Sequence, residues 1–178
     1  MQGRFLLVLL IAVSLTVRPV YAADDDVEKA GDILMVMIPL AGLGATLFYE
    51  DGLHGTQQFI KALVSSEVIT QGLKLVVDKD RPNGESDSFP SGHASRTFMG
   101  AGFIHERYGF KYAVPAYLGA IYVGYSRVST DNHYVEDVVA GAAIGLLSSF
   151  FFTTPYKKFV VTPVADAGFY GLKIYKEW

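Results

Sequence analysis

The stretch SRVSTDNHYVED, residues 126–137, places an arginine, a histidine and an aspartate between two runs without charged residues, 112–126 and 138–155. Asp137 follows His133 by four residues, a spacing that puts both side chains on one face of a helix. A carboxylate that contacts one imidazole nitrogen fixes the tautomer and leaves the other nitrogen available as a nucleophile. The same acidic residues could instead stabilise the dipole at a helix N-terminus.

A second polar motif lies upstream, in the sequence FPSGHAS at residues 89–95. Pro90 and Ser91 precede a helix that we expect to begin near Gly92 and His93. The backbone N–H groups in a first helical turn have no partner within the helix, so they can bind an anion. Gly92 would let the backbone approach a ligand closely. The alternative is that Ser91 is an ordinary helix N-cap and that His93 has no catalytic role.

A third motif, KLVVDKDRP at residues 74–82, begins with Lys74 and ends with Arg81 ahead of a proline. Arg81 follows Lys74 by seven residues, close to two turns of helix, so the two side chains are expected to point the same way. Pro82 biases Arg81 away from helical geometry, which predicts that the helix ends nearby. Taken alone, this pair is also compatible with ordinary charge at an interface.

Five segments have the apolar content and length of helices: 33–49, 56–77, 91–109, 112–126 and 138–155. The sequence therefore predicts an all-α fold, an antiparallel bundle of about five core helices. The apolar runs are about as long as the shortest helices that span a bilayer. Their many glycines and alanines would let membrane helices approach closely. We expect a membrane-embedded bundle, with a compact soluble bundle as the alternative.

The composition supports the same choice. Hydrophobic residues make up 51% of the 178 residues, charged residues only 19%, and the mean hydropathy is +0.28, so much of the chain is buried or meets lipid. The absence of cysteine excludes disulfides, thiolate nucleophiles and cysteine metal sites. The net charge of −3 gives no reason to expect nucleic acid as a partner.

The two ends of the chain differ from its middle. Residues 1–22 have the pattern of an export signal, with Arg4 before an apolar stretch and the small-residue site VYA before position 23. We expect cleavage near Ala22, with an uncleaved anchor as the alternative, and a helical domain over 23–155. Residues 156–178 are rich in β-branched and aromatic side chains, which predicts a small C-terminal extension that forms a hairpin.

The motifs K-x6-RP, PSGH and SR-x5-H-x3-D occur in this order over residues 74–137, and together they resemble the signature of the type-2 phosphatidic acid phosphatase and vanadium haloperoxidase superfamily. The resemblance implies that His133 attacks phosphorus to form a phosphohistidine and that Asp137 orients it. It implies that His93 protonates the leaving oxygen and then activates water. His54 and His105 match no part of the signature. The residues that the resemblance assigns to phosphate binding are Lys74, Arg81, Ser91, Gly92 and Arg127.

The resemblance implies an enzyme, a phosphoric ester hydrolase that acts on a phosphomonoester or pyrophosphate bond of a lipid. Three cations and a helix N-terminus suit the charge of a phosphoryl group, so we expect neither a metal nor another cofactor. A phosphorylated lipid and the membrane are the expected partners, without nucleic acid or an obligate protein partner. The alternatives are a soluble periplasmic non-specific acid phosphatase, a vanadate-dependent haloperoxidase, and a lipid-binding module with an inactive site.

The order of the motifs along the helices predicts where they meet. If each helix crosses the bundle once, all three motifs lie at the same end of the bundle. This end is on the exported side, to which the signal directs the chain. The expected location is the inner membrane with the site facing the periplasm, or the soluble periplasm. A soluble antiparallel bundle would gather the motifs in the same way, so this topology supports the site more than the membrane.

Overall fold

The structure, a computed structural model, describes residues 24–50, 52–156, 158–166 and 169–177. Within these ranges the chain forms five helices and two strands: α1 (Asp24–Phe48), α2 (His54–Val76), α3 (Gly92–Tyr108), α4 (Phe110–Ser129), α5 (Val135–Phe152), β1 (Lys158–Asp166) and β2 (Phe169–Glu177). The predicted all-α bundle with a C-terminal hairpin is therefore confirmed. The predicted export signal, residues 1–22, lies outside the described residues and stays a prediction.

Four of the five helices begin earlier than the apolar pattern indicates, and the difference is largest for α1 and α5. α1 starts at Asp24 rather than at the predicted residue 33, because acidic side chains are favourable in the first turns of a helix and two of them contact other helices. α5 starts at Val135 rather than at 138. The carboxylate of Asp137 accepts a hydrogen bond from the amide of Tyr134 at 3.0 Å, which caps the new helix one turn earlier.

α3 lies at the centre of the bundle and packs against each of the other four helices. Its side chains Met99 and Phe103 are fully buried and contact Phe59 of α2. The hydroxyl of Thr70 donates to Ser95 Oγ at 2.9 Å, which fixes α2 against the first turns of α3. Lys74, one turn beyond Thr70, therefore lies at the same end of the bundle as the start of α3.

The backbones of α3 and α5 approach each other at two glycines. A Cβ atom at Gly145 would collide with the carbonyl oxygen of Ser95 and would lie 2.6 Å from the amide nitrogen of Met99. A Cβ atom at Gly141 would collide with the carbonyl oxygen of Ser91. Only glycine permits this separation, so the start of α5 sits directly against the start of α3.

The outer faces of the helices are apolar. Exposed large side chains include Leu40 and Leu47 on α1, Val68 on α2, and Phe150 and Phe151 on α5. α1 and α5 are long and apolar enough to cross a membrane, and only 22% and 28% of their most apolar stretches are buried. The core helix of a soluble bundle would be mostly buried, so these faces are better suited to lipid.

A buried ion pair closes the opposite end of the bundle. Arg107, in the last turn of α3, donates to both carboxylate oxygens of Glu50 at 2.7 and 2.5 Å, and to the carbonyl oxygen of Thr154 at 2.7 Å. Burial opposes ionisation of Glu50, but hydrogen bonds from Arg107 and Tyr108 outweigh it and lower its pKa. These contacts join the chain after α1, the end of α3 and the chain after α5, so the three helices keep a fixed register.

The hairpin pairs β1 and β2 in antiparallel register, from Lys158 opposite Glu177 to Asp166 opposite Phe169. The hairpin follows α5 directly, at the end of the bundle that carries the Arg107–Glu50 pair.

We expect Gly145→Ala to lower the free energy of unfolding by about 1–3 kcal/mol, because the added methyl group forces α3 and α5 apart. Thermal unfolding in detergent micelles measures this change. Gly44→Ala is the matched control, since a Cβ atom at Gly44 meets nothing within 4 Å and alanine favours helix. Equal stability of the two variants would contradict the close backbone contact.

Candidate active site

Two of the sequence motifs are joined by their backbones. The amide of Ser91 donates to the carbonyl oxygen of Asp137 at 2.9 Å, and the hydroxyl of Ser88 donates to Asp137 Oδ2 at 2.5 Å. The loop before α3 is thereby fixed to the first turn of α5. The Ser91 amide already has this partner. Only the amides that follow it in the first turn of α3 therefore remain candidates for the predicted anion site.

Gly92 opens α3 next to this contact. A Cβ atom there would meet only a methyl carbon of Thr70, at 4.0 Å, so the backbone stands beside open space. The side chain of Ser91 accepts a hydrogen bond from the amide of Ala94 at 3.4 Å, which makes Ser91 the N-cap of α3. Ser91 thus shapes the turn, and Gly92 leaves room for an anion at the helix N-terminus.

Asp137 is fully buried and hydrogen-bonded on both carboxylate oxygens. Lys79 donates to Oδ1 at 2.7 Å, and Oδ2 accepts from Ser88 and from the amide of Tyr134. The Lys79 ammonium also lies 4.5 Å from the centre of the Tyr134 ring. Burial opposes the charged form of Lys79, but its bonds to Asp137 and Glu136 outweigh this and raise its pKa. The buried carboxylate therefore stays ionised beside a charged lysine.

His133 lies against this carboxylate without a hydrogen bond to it. Its Nδ1 is 4.0 Å from Asp137 Oδ2, and this atom is buried without a hydrogen-bond partner among the described residues. Its amide donates to the carbonyl oxygen of Arg127 at 3.0 Å. The predicted adjacency of His133 and Asp137 is present, but the bond expected from their spacing is not made, because the carboxylate oxygens already serve Lys79, Ser88 and Tyr134.

The charge state of His133 follows from its surroundings. Burial and the positive charges of Arg81 and Lys74 lower the pKa of His133 to about 4, and the negative charge of Asp137 opposes them only in part. The imidazole is therefore neutral at physiological pH, the form that a nucleophile requires.

His93 faces the same space from the first turn of α3. Its Nε2 lies 3.0 Å from Asp32 Oδ1 and 3.5 Å from Arg127 NH1. The carbonyl oxygen of Arg127 also accepts a hydrogen bond from the backbone N–H of His133, so this arginine contacts both histidines. Asp32 belongs to α1, whose early start brings its carboxylate to this point.

Two of the three predicted phosphate-binding cations are paired with carboxylates, and the third contacts a backbone carbonyl. The buried Arg127 guanidinium lies 3.4 Å from Glu28 Oε1 and 3.2 Å from Asp32 Oδ1. Arg81 pairs with Glu85 at 2.7 Å, while its Nε is buried without a hydrogen-bond partner among the described residues. Lys74 donates to the carbonyl oxygen of Asp87. A phosphoryl oxygen could therefore replace a carboxylate at Arg81 and at Arg127, and a backbone carbonyl at Lys74.

Four residues of this site were not predicted from the sequence: Glu28, Asp32, Lys79 and Ser88. Lys79 lies inside the K-x6-RP motif between two acidic residues, a signal that charge is concentrated there. The other three contact residues far along the chain, so local spacing does not reveal them. The two histidines outside the signature have other surroundings: His54 begins α2, and His105 Nδ1 lies 3.0 Å from the hydroxyl of Tyr117.

Comparisons with known proteins show which sequences and folds this chain resembles. The family model of the PAP2 superfamily matches residues 56–160. The chain is 29% identical over 189 residues to the lipid A 4'-phosphatase of Helicobacter pylori strain J99, an alignment that covers 98% of this chain and 94% of the relative.

Two crystal structures share the architecture. The structure of Aquifex aeolicus LpxE superposes with a TM-score of 0.62 and 19% identity over 82% of this chain and 92% of that one, which shows a common fold. The transmembrane PAP2-type phosphatidylglycerolphosphate phosphatase of Bacillus subtilis gives a TM-score of 0.51 and 25% identity, over 83% of this chain and 91% of that one.

We expect Lys79→Met to move the acidic limb of the pH profile of kcat/KM to higher pH. Without the lysine charge, the carboxylate of Asp137 favours protonated His133 more strongly, so the pKa of His133 rises from about 4 and the neutral nucleophile is lost earlier on acidification. Wild type and variant are compared on one substrate, so that its own ionisation affects both equally.

The control for this variant is Glu136→Gln. Glu136 is the other partner of Lys79 at 2.8 Å, but it is exposed, and such surface pairs contribute little. Its removal should leave the pH profile unchanged. A profile of Lys79→Met that coincides with that of wild type would show that Lys79 does not act on His133 through Asp137.

We expect Glu28→Gln to strengthen inhibition by orthovanadate about two- to five-fold, because one carboxylate that competes for Arg127 is lost. The inhibition constant measures the effect on a common substrate. Asp26→Asn, two residues earlier in α1, changes the local charge equally and serves as the control. Weaker inhibition of Glu28→Gln than of wild type would show that Glu28 supports the anion site instead of competing for it.

Proposed function

This chain belongs to the PAP2 superfamily, and from that premise we propose that it is a membrane-bound lipid phosphatase that hydrolyses the 4'-phosphate ester of lipid A. The observation that supports this most directly is the convergence of His93, His133 and Arg127 at one end of an apolar bundle. The extended similarity to a lipid A 4'-phosphatase supports the substrate. It does not favour the soluble acid phosphatase or the haloperoxidase considered above.

The first step of the proposed reaction is attack by His133 on phosphorus. Since Nδ1 faces Asp137, the lone pair of Nε2 attacks, an N–P bond forms, and the bond between phosphorus and the ester oxygen breaks. The leaving oxygen takes a proton from His93, and the product alcohol departs. Asp137 stabilises the positive charge that develops on the imidazole of His133.

The second step returns His133 to its starting state. His93, now neutral, removes a proton from water, and the water oxygen attacks phosphorus as the N–P bond breaks. Inorganic phosphate leaves, and His93 is protonated again. Burial and the positive charge of Arg127 lower the pKa of His93, and the Asp32 carboxylate at 3.0 Å opposes this shift only in part. The negative charge of the bound phosphoryl group is therefore proposed to favour the protonated form of His93 in the first step.

Lys74, Arg81 and Arg127 are proposed to hold the phosphoryl oxygens in both steps. Their charges act where negative charge builds up in the transition state, in a site that is partly closed to water. When phosphate binds, Glu28 and Asp32 must release Arg127, and Glu85 must release Arg81. The exposed fractions of Glu28 and Asp32, 39% and 50%, leave both side chains room to move into solvent.

We propose that the site faces the periplasm from the inner membrane. The apolar outer faces of α1 and α5 support a position within the bilayer. The polar motifs all lie at the end where α1 begins, which follows the segment with the pattern of an export signal. This arrangement would give the site access to lipid headgroups from the outer face of that membrane.

The purified protein should release phosphate from lipid A in detergent micelles, in the presence of EDTA, and mass spectrometry should show loss of the 4'-phosphate. His133→Ala should lower the rate by at least about 10⁴-fold, because the nucleophile is absent. His105→Ala, outside the site, is the control and should retain activity.

Phosphatidylglycerophosphate is included as a second substrate, since it is the lipid named for one structural neighbour. Faster turnover of that lipid, or loss of the 1-phosphate, would replace the proposed substrate and keep the chemistry. Full activity of His133→Ala would refute the proposed mechanism.

A further inference from the structure

An apolar groove with a volume of about 500 Å³ opens between α1 and α2, with α3 behind it. Val36, Leu40 and Leu43 line it from α1, and Phe59 and Leu63 line it from α2. Val36 and Leu40 are about half exposed, at 49% and 52%. The groove is therefore open to whatever surrounds the bundle, which is lipid for a membrane protein.

One end of the groove is polar. Arg96 of α3 donates to both carboxylate oxygens of Glu67 of α2 at 2.5 and 2.8 Å, and both residues line the groove. The remaining NH1 of Arg96 faces the sulfur of Met35 at 3.7 Å, a weak acceptor. A stronger acceptor placed at this end would find a charged donor already oriented toward it.

This polar end lies next to the candidate active site. Arg96 follows His93 by three residues on α3, and Met35 follows Asp32 by three residues on α1, so each is one helical turn further along the same face. His93 and Asp32 contact each other at 3.0 Å. The groove thus starts one helical turn from His93, toward the opposite end of the bundle. It continues along α1 from Met35 to Leu43, a length of about 12 Å.

We propose that this groove binds an acyl chain of the lipid whose phosphate is held between His93 and His133. The inference rests on the proposed function, since it requires a lipid substrate. The chain must leave the phosphate site toward the interior of the bilayer, and the groove is an apolar path that begins there. Arg96 donates a hydrogen bond to the ester or amide carbonyl that joins the chain to the headgroup.

The dimensions favour a chain over a helix from a second protein. A helix is about 10 Å wide with its side chains, so a segment of this length would need roughly twice the available volume. The polar end also suits a lipid, which has one polar linkage followed by an apolar chain. A helix would place apolar side chains against the Arg96–Glu67 pair as well.

Leu40→Trp tests the proposal, because the indole fills the groove. KM for hexa-acylated lipid A should rise at least about tenfold, the effect of losing contacts to two buried methylenes, while kcat/KM for p-nitrophenyl phosphate, which has no acyl chain, stays unchanged. Ala41→Trp is the matched control. Ala41 is the next residue of α1 but lines a different cavity of about 500 Å³ near Tyr108, at the far end of the bundle.

Val36→Phe, with Met37→Phe as its neighbour control, repeats the test with a smaller side chain if the tryptophan variant does not fold. Leu40→Trp and Val36→Phe with wild-type KM for lipid A would overturn the proposal, as would equal losses in each variant and its control. A wild-type protein that hydrolyses p-nitrophenyl phosphate but no lipid would refute the proposed lipid substrate instead. Inactivity of wild type on both compounds would refute the phosphatase itself.

Discussion

The backbone contact between α3 and α5 is the constraint on which the candidate site depends. Gly141 and Gly145 let the two helices meet without side chains between them, and the amide of Ser91 bonds to the carbonyl oxygen of Asp137. α3 carries His93, and the segment that enters α5 carries His133. In the proposed reaction the two imidazoles act in turn on one phosphorus, and they must be held within a few tenths of an ångström of a reactive geometry. Direct backbone contact provides that precision, because the close packing at the two glycines restricts sliding of one helix along the other.

The buried carboxylate of Asp137 carries out two tasks at once. Its hydrogen bonds to Lys79, Ser88 and the amide of Tyr134 hold the loop before α3 to the start of α5. A buried negative charge without such partners would be strongly unfavourable. The same charge acts on His133 across 4.0 Å, where it can stabilise an imidazolium or a phosphohistidine. Asp137 thus has both a structural and an electrostatic role. The positive charge of Lys79 compensates the negative charge of its carboxylate.

Arg107 and Arg127 are both buried, but the exposure of their partner carboxylates differs. This difference separates a structural ion pair from a candidate binding site. Arg107 is paired with Glu50, and their side chains are only 5% and 1% exposed, so neither can exchange its partner for a ligand. Arg127 is equally buried, but Glu28 and Asp32 reach it from the solvent side. A buried cation needs a counter-charge at all times. Glu28 and Asp32 supply it at Arg127, and in the proposed reaction a phosphoryl group takes their place.

The sequence by itself determined the chemistry and the number of helices. The spacings around His133, His93 and Arg81 are local, and the apolar runs between them have the length of helices, so both could be predicted from neighbouring residues. The tertiary structure alone decided the partners of those groups. Asp32 and His93 are 61 residues apart, and Lys79 and Asp137 are 58 apart, so no local spacing connects them. The missing hydrogen bond between His133 and Asp137 has the same origin: helical spacing brings the two side chains together, but the orientation of the carboxylate depends on Lys79 and Ser88, which only folding places beside it.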